Sequence, residues 1–129
     1  MYVILSTRGT ERWLSGIFRE KQDAETYWAS VPQCDGTQHA VQSVSPAEFP
    51  FFIVEDSSGF AFLDPMQAVQ VIRTMSVPAE NAEPILFAIV SEYQPDLPGR
   101  DEMGSIRHVH LDGAHLAELR KSGPLALTS

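Results

Sequence analysis

One pattern is stated twice in about the first hundred residues, and that repetition constrains the fold more than any other feature of the chain. Tyr2-Val3-Ile4-Leu5, a turn at Gly9, an apolar return from Trp13 to Phe18, a polar helical stretch and Ser30-Val31-Pro32 make the first statement. Phe52-Ile53-Val54, a turn at Gly59, the return Phe60 to Leu63, a second helix and Ser76-Val77-Pro78 make the second. Each Ser-Val-Pro leads into a strand-like run, His39 to Val44 and then Ile85 to Val90. The exits are Glu48-Phe49-Pro50 and Asp96-Leu97-Pro98. A ββαβ unit of about fifty residues has too little apolar surface to stand alone, so two such units are expected to share one fold. The sequence therefore reads as a single α+β domain over residues 1–129, with a mainly antiparallel sheet of six or seven strands. Pseudo-repeats at about 1–50 and 51–99 build the sheet, two longer helices pack on it, and a strand with a shorter helix follows at 105–123.

Local signals support these elements. Tyr2 to Ser6 and Leu14 to Arg19 have the pattern of a hairpin, and Lys21 to Ser30 that of a helix, which Pro32 cannot continue. Ala24, Tyr27, Trp28 and Val31 recur at helical spacing and predict one apolar face. Phe51 to Val54 is a continuous apolar run suited to a strand buried on both faces. Asp64-Pro65 is a helix start, with Met66, Val69, Ile72 and Met75 expected on the side facing the sheet. Ile85 to Tyr93 and Ile106 to Leu111 read as further strands, and Asp112 is a cap for a helix over Ala114 to Lys121.

Charge is distributed unevenly along this acidic chain of net charge −8. Residues 35 to 102 hold eleven acids and two bases, a net −9, while the flanking segments nearly balance. A phosphate backbone rewards clustered Lys and Arg, so this pattern argues against nucleic acid and for a basic protein surface as partner. The candidate partner-binding residues are the acids Glu48, Glu55, Asp56, Asp64, Glu92, Asp96, Asp101 and Glu102, with Phe49 and Tyr93 as aromatic anchors beside them. The bland alternative is that these acids only keep a small domain soluble. The start of the chain has no basic leader or apolar run of signal-peptide length, and Cys34 is the only cysteine, so no internal disulfide can form. A cytoplasmic protein without membrane insertion is expected, and sheet edges left by two joined units make a homodimer plausible.

One constellation looks like chemistry: His108-Val109-His110-Leu111-Asp112-Gly113-Ala114-His115. On a strand, residues two apart share a face, so His108 and His110 project together, with Asp112 and His115 following in the next turn. Three imidazoles and a carboxylate suit zinc with one open position. The string resembles the H-x-H-x-D-H motif of metallo-β-lactamase-like hydrolases, but two residues separate Asp112 from the last histidine and only fourteen residues follow His115. Those departures exclude that family. The chain contains no phosphate-binding glycine loop, nucleophile elbow or H-E-x-x-H pair. Two functional expectations follow. The first is a non-catalytic acidic binding module without a cofactor, of which an immunity or antitoxin-type inhibitor is the most concrete form. The second is a small metal-dependent enzyme or metal sensor using His108, His110, Asp112 and His115, and apart from both stands a duller alternative, a small-molecule-binding or purely structural domain.

Overall fold

The computed structural model describes residues 1–30, 36–79, 84–93 and 106–128. In chain order these form β1 (Tyr2–Arg8), β2 (Glu11–Phe18), α1 (Lys21–Ser30), β3 (Thr37–Ser43), β4 (Phe51–Asp56) and β5 (Gly59–Leu63). There follow α2 (Pro65–Thr74), β6 (Ile85–Ile89), β7 (His108–His110), α3 (Gly113–Ser122) and a terminal 3₁₀ helix (Pro124–Thr128). The expected single sheet is in fact two antiparallel sheets, ordered β2-β1-β3 and β5-β4-β6-β7. The physical reason lies in the hairpins. Each opening strand, β1 or β4, is flanked on one side by its hairpin partner and on the other by the strand that follows the helix. The link from β3 to β4 carries Pro46 and Pro50, which have no N–H for a shared ladder. The chain correspondingly divides into two compact units, Met1–Glu48 with Ser91–Ser105 and Phe49–Val90 with Ile106–Ser129.

In the first unit, α1 lies on the β2-β1-β3 sheet through Ala24, which meets Ile4 and Phe18, with Tyr2, Tyr27 and Val41 around them. The β1–β2 ladder contains a bulge: Leu5 pairs with Leu14 and Ile4 with Gly16, so Ser15 has no partner on β1. Gly16 beside it leaves room for the Phe18 ring, which an added Cβ would meet at 2.5 Å and force to shift. Trp28 departs from the predicted apolar face and is 42% exposed, its indole Nε1 donating to the His39 carbonyl at 3.1 Å. Val44 N–H bonds to Met1 O, so alternation along β1 turns Val3, Leu5 and Thr7 toward β3 and Ser6 toward β2. His39, opposite Ser6, therefore directs its carbonyl to the outer edge of the sheet, and the Trp28 indole blunts that edge there.

In the second unit, one face of the sheet carries Phe52, Leu86 and Ala88, which pack with Ala68 and Ile72 of α2, Leu111, and Leu116 and Leu119 of α3. Phe51, Ile53, Phe87 and Ile89 alternate with them and are buried as well, as the apolar run in β4 predicted. Of the face expected on α2, Ile72 is buried, Met75 packs against the core and Val69 is half-buried, whereas Met66 departs from it. Ala68 and Ile72 are inside and Met66 is 83% exposed, because Met66 lies about 120° around the helix from Ile72. Asp64 starts α2 with a full capping box, accepting from Gln67 N while the Gln67 side chain accepts from Asp64 N. Arg120 of α3 closes the other end, donating to Ile72 O at 2.8 Å and Met75 O at 2.5 Å. The last helix is as long as the others at ten residues, not shorter, since Asp112 caps it and Gly113 joins its first turn. Among the described residues, no helix is long and apolar enough to cross a membrane.

Candidate functional site

The predicted acids divide by what their carboxylates do. Asp56 serves the β4–β5 turn, accepting from Ser58 N at 2.7 Å, Ser58 Oγ at 2.5 Å and Gly59 N at 3.2 Å. Asp64 serves the α2 cap. Glu55 is half-buried in β4, paired with Phe60 on one side and Ile85 on the other. Phe49 stacks on Phe51 with ring centres 5.8 Å apart, in the unit that also holds Glu55, Asp56 and Asp64. Glu48, Glu92 and Tyr93 belong to the other unit. Tyr93 bridges to Ile17 through both backbone bonds, at 2.7 and 3.0 Å, and so fixes Glu92 beside the end of β2. Asp96, Asp101 and Glu102 lie outside the described residues.

Glu92 has a setting the sequence did not suggest. Its Oε1 accepts the Arg19 N–H at 3.0 Å, and it shares a groove of about 280 Å³ with Phe18, Asp23, Thr26, Tyr27 and Ser30. Phe18 and Tyr27 form the aromatic wall, with ring centres 5.6 Å apart and planes tilted by 43°. Asp23 and Glu92 supply two exposed carboxylates. A groove of this chemistry can receive an alkyl stem against the rings and an ammonium or guanidinium against the carboxylates. The missed signal was present in α1. Asp23, Thr26, Tyr27 and Ser30 follow steps of three, one and three residues, so they line one side of the helix.

The histidines separate into three settings. His108 and His110 project from β7 with ring centres 6.2 Å apart, and His108 also meets Phe87 at 5.6 Å. Asp112 and His115 are occupied with each other at the start of α3. Asp112 Oδ1 accepts from His115 N at 2.7 Å and contacts His115 Nδ1 at 2.8 Å. The backbone N–H of His115, followed by its side chain, holds the Asp112 carboxyl below the usual carboxylate range. Among the described residues, no group of three or more His, Cys, Asp or Glu side chains is arranged to hold a metal ion.

His39, at the start of the strand-like run the sequence shows, joins a polar chain inside the first sheet. Its Nδ1 lies 2.5 Å from Ser6 Oγ, which in turn bonds Ser15 Oγ. The bulge delivers Ser15 to Ser6, and the cross-strand pair delivers His39. Burial lowers the His39 pKa from its ordinary value. Both serines are fully buried, so neither hydroxyl meets solvent, and the chain satisfies polar groups inside the sheet without offering a nucleophile to a substrate. No protein-family model, curated protein or solved structure matches this chain.

Proposed function

We propose that this chain is a non-catalytic, acidic protein-binding module that docks a basic protein surface, with an immunity or antitoxin-type inhibitor as its most concrete form. The observation that carries the reading is the groove of the first unit, where Asp23 and Glu92 flank the Phe18–Tyr27 ring pair. A Lys or Arg side chain from the partner fits it by chemistry, with the stem on the rings and the charge between the carboxylates. The Arg19 N–H that fixes Glu92 reduces the ordering cost of that contact. The excess of acids between residues 35 and 102 adds long-range attraction, faster association and strong salt dependence.

Three finer parts of the reading belong here. The ββαβ order of both sheets, each with its first strand central, supports a pseudo-repeat relation between the units. A single cysteine suits a reducing compartment such as the cytoplasm. The outer strands of the sheets are where a second copy would pair in a homodimer.

The test is a pull-down from the protein's native lysate at low and high salt, comparing wild type with Asp23→Asn/Glu92→Gln. Glu92→Gln retains an oxygen to accept from Arg19, so the substitution removes charge and preserves the local bond. A basic protein held by wild type, released by salt and lost from the variant supports the reading. Equal capture by the two proteins refutes the assignment of the groove.

A further inference from the structure

Strand β7, last in the β5-β4-β6-β7 order, carries two histidines. His108 and His110 are both exposed, two residues apart on one strand, and therefore on one face. They stand opposite Phe87 and Ile85, respectively, on β6. His108 is held on two sides. Its ring lies 5.6 Å from Phe87, and its Nδ1 is 3.1 Å from the Ile106 carbonyl oxygen. A carbonyl oxygen only accepts, so Nδ1 bears the proton in that bond, and in the neutral ring Nε2 is the nitrogen left to bind a metal. A ring N–H donated to a backbone carbonyl is the outer-shell contact that fixes a metal-binding imidazole in tautomer and orientation.

We propose that His108 and His110 form a two-imidazole chelate for a borderline divalent transition-metal ion, the class of Cu²⁺, Ni²⁺ and Zn²⁺, with water completing the coordination. The distances permit it. An ion about 2.0–2.1 Å from each ring nitrogen lies roughly 3.2 Å from each ring centre, which sets the two centres roughly 5 Å apart at a tetrahedral angle and roughly 4.5 Å apart at the right angle of a square-planar copper site. The rings now stand 6.2 Å apart at an interplanar angle of 72°. Closing that gap takes roughly 1 Å for a tetrahedral ion and nearly 2 Å for a square-planar one, a movement made by rotating the side-chain torsions of two exposed imidazoles, of which the terminal one is broad. Two neutral nitrogens without a carboxylate select against Ca²⁺ and Mg²⁺ and favour copper over zinc.

Asp112 and His115 are outside this chelate because they are paired with each other at the α3 cap. Recruiting them would cost that helix its N-terminal bond. The site belongs to the second unit and the acidic groove to the first, so either can fail without the other.

The experiment is calorimetric titration of the full chain with Cu²⁺ and Zn²⁺, with copper electron paramagnetic resonance on the same samples. Wild type should take up one equivalent of Cu²⁺ with two coupled nitrogens, more tightly than Zn²⁺. His108→Ala and His110→Ala each turn a chelate into a single ligand and should weaken binding about 100-fold or more. His115→Ala and His39→Ala should bind as wild type does. Circular dichroism checks that every variant is folded, and histidine ¹⁵N shifts should show the Nδ1–H tautomer at His108 in the metal-free protein. Unchanged affinity in either β7 variant, or affinity lost with His115→Ala, overturns the proposal.

Discussion

Replacing Ser6 with alanine tests the buried polar chain directly. Ser6 Oγ bonds both Ser15 Oγ and His39 Nδ1, and both serines are fully buried. Removing it leaves the Ser15 hydroxyl inside the sheet without its partner. A buried polar group orphaned in this way costs about 1–3 kcal/mol, whereas a hydrogen bond removed together with both partners costs far less. His39 is half-buried and can turn to water, so it adds little. Ser6→Ala should therefore destabilise the protein by about 1–3 kcal/mol, nearly all of it traceable to Ser15. The consequence is non-additive. Ser15→Ala in the Ser6→Ala background removes the orphan, so the double variant should be at least as stable as Ser6→Ala alone. The expected coupling is about 0.5–3 kcal/mol. Urea unfolding at pH 7.5, followed by far-ultraviolet circular dichroism, measures all four corners of the cycle. Independent losses that simply add in the double variant would refute the reasoning.

Other consequences follow from the same structure. Burial lowers the His39 pKa, so below its ordinary value of 6.5 the unfolded chain binds more protons than the folded one. Stability should fall as pH drops through about 6.5 and toward the lower folded value, and His39→Gln should remove that part of the slope in urea titrations between about pH 5 and 8. Asp64→Ala deletes the α2 capping box and should cost about 1 kcal/mol, seen as a lower urea midpoint with unchanged slope. Gly16→Ala drives a methyl into the Phe18 ring and should cost about 1–3 kcal/mol in thermal or urea unfolding. Phe18→Leu in the same chain should recover part of that loss.

The element boundaries were legible because local chemistry writes them. Asp64-Pro65 marks the start of α2, Asp112 that of α3, and Gly9 and Asp56 to Gly59 the hairpin turns. Strand partners were not legible, because periodicity gives the face of a strand and never its neighbour, and so one sheet was expected where two form. Steps of three residues put Met66 in line with Val69, Ile72 and Met75, but each step falls short of a full helical turn, and the packing centre at Ile72 turns Met66 to solvent. At the candidate site, Glu92 stood out as an acid beside Tyr93. Its groove did not, since Asp23 and Tyr27 come from a helix some seventy residues earlier. Asp56 and Asp64 were visible as turn and cap residues, and their carboxylates are used there. The bulge that joins Ser15 to Ser6 leaves no mark in composition, because a single extra residue in a strand has no characteristic side chain.

The chain has two tryptophans, Trp13 and Trp28, and both fall in the Met1–Glu48 segment. Trp13 is 6% exposed, with its indole nitrogen buried and unbonded and the Arg8 guanidinium 6.0 Å from its ring, whereas Trp28 is 42% exposed and bonded to a carbonyl. Intrinsic fluorescence therefore reports on one unit alone, with a blue-shifted and a red-shifted emitter in the same sheet assembly. The second unit is dark. Comparing a fluorescence melt with a dichroism melt thus reads cooperativity without any label: coincident curves mean that the two halves unfold as one thermodynamic body, and an offset gives the stability that each holds separately.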